Sequence, residues 1–141
     1  MEEYKDNIVA VRFADNAEFD LTVTIMEDDV FTMSVLLDNQ LYKVNADDIF
    51  STFQKLRDIL LNNDIGLKCC GAMINAHQSG MMTTSDKVYL LTFGKPALRK
   101  DITTIFDYAD IKEFPNTLEQ EKFAQAWINS LISGNIINKE N

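Results

Sequence analysis

The residue types able to do chemistry fall close together in one stretch: Cys69, Cys70, His77 and Ser79. A cysteine near an imidazole is the minimum for thiolate catalysis, because a thiol is a weak nucleophile until a base takes its proton. His77 is the only histidine, and it follows Cys70 across a loop-like stretch. That spacing permits contact, but it brings no third group to orient the ring. One reading is a small enzyme with a Cys/His or carboxylate centre around residues 69–81, its pocket gathering Cys70, His77 and Ser79. The preferred reading takes Cys69 and Cys70 as small buried hydrophobes, in a strand running into a turn where Gly71 and Gly80 allow close packing or unusual dihedrals.

Other chemistries are less well served. Adjacent strand residues diverge to opposite faces, so Cys69, Cys70 and His77 do not make a zinc set. Five scattered glycines form no phosphate-cradling loop, and the position two before Ser79 is His77 rather than the glycine of a nucleophile elbow. Asp28-Asp29 and Asp47-Asp48 are carboxylate pairs with the charge to hold a cation. The first reads as a turn and the second as a helix start. The expectation is no cofactor and no metal.

The elements that must position these groups come from periodicity. Residues 8–13 predict a first strand. In 19–26, Phe19, Leu21, Val23 and Ile25 alternate with Asp20, Thr22, Thr24 and Met26, which is a half-buried strand with a polar outer face. Asp28-Asp29 and Asp38-Asn39 punctuate further strands at 30–37 and 41–44, and connections this short make antiparallel neighbours. Asn45 is the expected cap of a helix at about 46–62, whose stripe is Ile49, Phe50, Phe53, Leu56 and Leu60. Strands follow at 65–74 and 87–93, with a loop at 75–86. Residues 101–108 fit a helical turn or an extended segment. Thr117 opens a second helix at about 118–132, with Gln120 at the capping-box position, and Phe123, Trp127 and Leu131 are its expected buried stripe. Gly134 is the expected stop, and 135–141 are expected to fray. The whole, residues 1–141, reads as a single α+β domain: an antiparallel sheet of five or six strands with two principal helices packed against it.

Charge narrows the partner. Residues 1–48 hold twelve acidic and three basic side chains, so the whole net charge of −9 lies in the first third; residues 49–141 hold ten of each sign. Such a field repels nucleic acid and anionic lipid and attracts basic proteins. No apolar run approaches the ~20 residues that cross a bilayer. The start, Met1 to Asp6, lacks an apolar signal core, so a cytoplasmic location is expected, without membrane or nucleic-acid partners. Two cysteines without an intrachain scaffold fit a reducing compartment.

An ordered series runs through the middle of the chain: Cys70-Gly71-Ala72, Ser79-Gly80-Met81, Tyr89-Leu90-Leu91, Gly94, Asp101-Ile102 and Ile105-Phe106-Asp107. Over residues 65–110 this resembles small acidic bacterial immunity proteins encoded near polymorphic and contact-dependent toxins. The resemblance implies no catalysis and tight binding of a cognate toxin, with a basic nuclease-type domain suited to the acidic third. Asp20, Thr22, Glu27, Asp28 and Asp29 are the expected partner-binding residues. A homodimeric scaffold or regulatory subunit built on an exposed strand edge is the remaining alternative.

Overall fold

The computed structural model describes residues 2–82 and 84–140, with the backbone alone for 134–140. Five antiparallel strands form a curled sheet: β1 (Glu2–Arg12), β2 (Ala17–Glu27), β3 (Phe31–Leu37), β4 (Gln40–Ala46) and β5 (Ile65–Lys68), in the order β4-β3-β2-β1-β5. The helix α1 (Ile49–Leu61) packs across its inner face. The strand expected at 87–93 does not join this sheet. It becomes β7 (Lys87–Leu90) at the centre of a second, three-stranded sheet between β6 (Ala76–His77) and β8 (Ile102–Thr104). Of the ambiguous 101–108 stretch, only Ile102–Thr104 is a strand; Asp101 ends a short helical turn, and Ile105 and Phe106 form a turn.

Local chemistry explains the connections. The β3–β4 turn has two residues, Asp38 and Asn39, both at positive φ (51° and 65°), the conformation a twisted hairpin needs and one that Asp and Asn tolerate. Asp48, not Asn45, caps α1: its carboxylate accepts from the Ser51 amide at 2.7 Å and the Ser51 hydroxyl at 2.9 Å. Asn45 stays in β4. Asp64, at φ 62°, turns the chain back from α1 into β5.

Leu21, Val23 and Ile25 of β2, Met33 and Val35 of β3, and Phe53, Leu56 and Leu60 of α1 meet in one buried cluster. Each such side chain contributes roughly 1.5–3 kcal/mol on leaving water. Cys69, Cys70, Ile105 and Phe106 extend this core toward the second sheet.

The second helix, α2 (Thr117–Glu140), differs from expectation in three ways. It continues past Gly134, so that glycine is no stop and the backbone of 135–140 is helical rather than frayed; Asn141 lies outside the described residues. Its capping box joins Asn116 and Glu119, each side chain accepting from the other's amide, rather than Thr117 and Gln120. And α2 does not pack on the main sheet. Phe123, Trp127 and Leu131 are only half-buried. Phe123 stacks on Phe93 with ring centroids 4.6 Å apart, and Trp127 donates to the Lys95 carbonyl at 2.8 Å. What the sequence shows as a core stripe lies instead against the loop after β7.

Candidate functional site

The outer face of the five-stranded sheet is divided in two. Over β5 and β1 it is covered by residues 109–114. Phe114 lies flat on Gly66, where an added Cβ would sit 2.5 Å from the ring, and it packs on Phe13. Lys68, buried on this face, donates to Glu18 of β2 at 3.1 Å and to Asp110 at 3.3 Å. Its bond to Glu18, and then that to Asp110, hold the ammonium pKa above the ordinary lysine range.

The other half, from β2 to β4, is open. Here the sheet forks. β2 and β3 pair over only four positions, from Glu27↔Phe31 to Thr24↔Ser34. Beyond them, β2 continues to Ala17 paired only with β1, and Val35–Leu37 of β3 pair only with β4. The cause is twist. β1 and β2 form an eleven-position ribbon, and a long two-stranded ribbon coils away from a neighbour held only at its hairpin end. Phe19 and Leu37 fill the inner side of the divergence. Arg12 stacks over Phe19 and reaches Asp38 at 3.3 Å, joining the separated ends.

On the outer side the fork is a hollow of about 360 Å³. Asp20, Thr22 and Thr24 line it from β2, Ser34 and Leu36 from β3, and Leu41 from β4. Leu36 and Leu41 are cross-strand partners, and they are 66% and 61% exposed. They stand among hydroxyl and carboxylate side chains as the apolar spot of this face. Thr22 donates to Asn7 at 2.8 Å. No ion pair engages Asp20 among the described residues.

The five residues expected from the sequence therefore occupy two places. Asp20 and Thr22 line the fork. Glu27, Asp28 and Asp29 lie at the far hairpin tip, roughly 25 Å along an extended strand. Asp28 and Asp29 are exposed there. Glu27 shares the core-side parity of Ile25, and its carboxylate accepts from the Tyr4 hydroxyl at 3.1 Å. Burial, and then this bond, raise the Tyr4 pKa. Sequence reasoning missed Leu36 and Leu41. The signal was present, since both depart from the apolar-inside alternation of Met33, Val35 and Val44.

Cys70 and His77 are not brought together. The Cys70 sulfur contacts the Thr103 hydroxyl at 3.6 Å and the Tyr108 carbonyl at 4.0 Å. His77 lies instead near Trp127, 6.3 Å between centroids, beside a separate hollow with Ser79 and Asp48. Asp48 is engaged in capping α1, and burial lowers the His77 pKa. Burial also pushes the Cys69 thiol up to about 12. Gly71 does allow close packing, since a Cβ there would meet Ile105 at 2.6 Å; among the described residues, nothing lies within 4 Å of a Cβ added at Gly80.

A larger hollow, about 580 Å³, opens between residues 111–115 and the start of α2, with Met73, Ile74, Ile111 and Phe114 in its wall. Two of its charged groups are already engaged: Lys112 pairs with Asp110, and Glu119 belongs to the α2 capping box. Among the described residues, no group of three or more His, Cys, Asp or Glu could hold a metal ion, and no helix is long and apolar enough to cross a membrane. No family model matches the chain, and no curated protein matches it.

Proposed function

We propose that this protein acts by binding, and that it neutralises a basic toxin domain with the open half of its outer sheet face. The observation that carries the reading is the Leu36–Leu41 pair. Two large aliphatic side chains face each other across β3 and β4, well exposed, beside a hollow and an unpaired Asp20. An apolar anchor inside a polar, charged rim is the usual anatomy of a protein-binding patch. The four strands β1–β4 and their turns carry ten acidic and three basic side chains, so the part of the molecule that bears the uncovered face attracts cations at a distance. The separation of Cys70 from His77 leaves the enzyme alternative without an assembled pair.

The resemblance of residues 65–110 to immunity proteins supplies the kind of partner. A nuclease-type toxin has a basic substrate cleft, and an acidic surface steers fast association with it. Its inhibitor acts where the nucleic acid is, in the cytoplasm. The test is co-expression with basic nuclease-type toxin domains, taken first from any that the flanking genes encode. Wild-type protein is expected to restore growth and to co-purify with the toxin. Leu36→Asp combined with Asp20→Lys is expected to lose both while keeping the wild-type circular dichroism spectrum. Failure of the wild type to bind or protect overturns the reading.

A further inference from the structure

We infer that the partner enters the fork as a strand: an extended, basic segment pairs with the free edge of β2 over Ala17–Val23. The inference rests on the binding reading above and specifies its geometry.

A strand edge with no neighbour carries a row of unpaired N–H and C=O groups, and an added strand satisfies them while its alternate side chains read the surface beside it. β2 has such an edge from Ala17 to Val23, on the side that β3 abandons after Thr24↔Ser34. This edge differs from the outer edge of β4. There Lys43 places a charge on the strand, and Lys55 from α1 already occupies the Asn45 carbonyl at 2.9 Å. A charged side chain and a covered carbonyl are ordinary defences of an edge. The charges on the β2 edge, Glu18 and Asp20, are acidic, so they suit a basic strand rather than repel it, and the edge opens onto the hollow that Leu36 and Leu41 border.

The face also selects its occupant. Side chains of an added strand that point outward lie over Leu36 and Leu41, which suit an apolar group, and beside Asp20, which suits a lysine or arginine. The surrounding charge excess of twelve acidic over three basic residues favours a basic segment and disfavours a second copy of this acidic chain.

Amide hydrogen exchange, with a basic nuclease-type toxin domain as probe, separates the outcomes. If the inference holds, amides within Ala17–Val23 exchange at least tenfold more slowly in the complex than in the free protein, and Leu36→Asp abolishes that protection. If the toxin domain binds but slows exchange only elsewhere, in β4 or in the 75–86 loop, strand addition is overturned and the binding reading stands. If the toxin domain does not bind, both are overturned.

Discussion

Arg57 on α1 donates from Nη2 to the Oε1 of Gln120 on α2, and both side chains are buried, Arg57 to 1% exposure. Gln120 turns its amide nitrogen to the carbonyls of Gly71 and Met73, at 2.9 and 2.7 Å. Arg57 also holds Asp58 at 2.8 Å and Thr117 at 3.2 Å, while its Nη1 has no hydrogen-bond partner among the described residues. Burial lowers the guanidinium pKa, against the opposing pull of Asp58. One polar knot thus fixes α2, whose Phe123, Trp127 and Leu131 are only half-buried, to α1 and to the turn after Cys69.

Removing one member of this knot leaves a buried cation short of a partner. Gln120→Ala is expected to cost about 3 kcal/mol in urea unfolding. The double variant Arg57→Met, Gln120→Leu removes the charge along with its partner and is expected to be more stable than Gln120→Ala alone. A double variant as unstable as the sum of the two single changes would sink this account.

The three glycines of the middle segment should separate on substitution. Gly71→Ala drives a methyl into Ile105 and Phe53 and should cost about 1–3 kcal/mol. Gly66→Ala should displace Phe114 and be read by increased exchange of the 109–114 amides. No described residue would meet a Cβ at Gly80, so Gly80→Ala should leave thermal stability within about 0.5 kcal/mol of wild type.

Asp6 gives the pH dependence. Burial, then Asp86 and Asp107, raise its carboxyl pKa. The native state thus holds this proton more tightly than the unfolded chain does. The stability it contributes is complete below the ordinary aspartate range and is lost as pH rises through the raised native value. Asp6→Asn is expected to stabilise at pH 7 by under about 1 kcal/mol, and the gain should vanish below about pH 4. Thermal melts of both proteins across that window decide it.

Thiol reactivity tests the reading of Cys69 and Cys70 as core. With both side chains buried and Cys69 raised to about 12, a disulfide reagent at pH 8 should titrate them at least ~100-fold more slowly in native protein than in urea. A fast native phase would reopen thiolate chemistry in this segment.

Association kinetics test the division of labour on the outer face. Asp20→Lys should slow association and flatten its salt dependence, and Asp28→Lys with Asp29→Lys should do so only if the hairpin tip also faces the partner. Leu36→Ser and Leu41→Ser should act mainly by faster dissociation. Glu27 is a poor reporter of binding, because its reversal also removes the Tyr4 bond. Unchanged kinetics in every variant would move the interface to the 75–86 loop.

The sequence by itself determined what depends on near neighbours. The alternation of 19–26 made β2, the Asp38-Asn39 pair made the β3–β4 turn, and the Phe50–Leu60 stripe made α1, because each signal is complete within a few residues. It also placed the charge and put Asp20 and Thr22 on the solvent face, since parity along a strand follows from its pleat. Only the tertiary structure decided the rest. That α2 rests on a side loop, that Arg57 and Gln120 share a buried bond, and that Cys70 and His77 point to different places are all relations across long stretches of chain. The fork is the clearest case. Nothing in β2 or β3 alone says where they part. That is set by the coiling of an eleven-position ribbon against a shorter hairpin, and it opens a hollow in a polar strand face beside two outward-facing leucines.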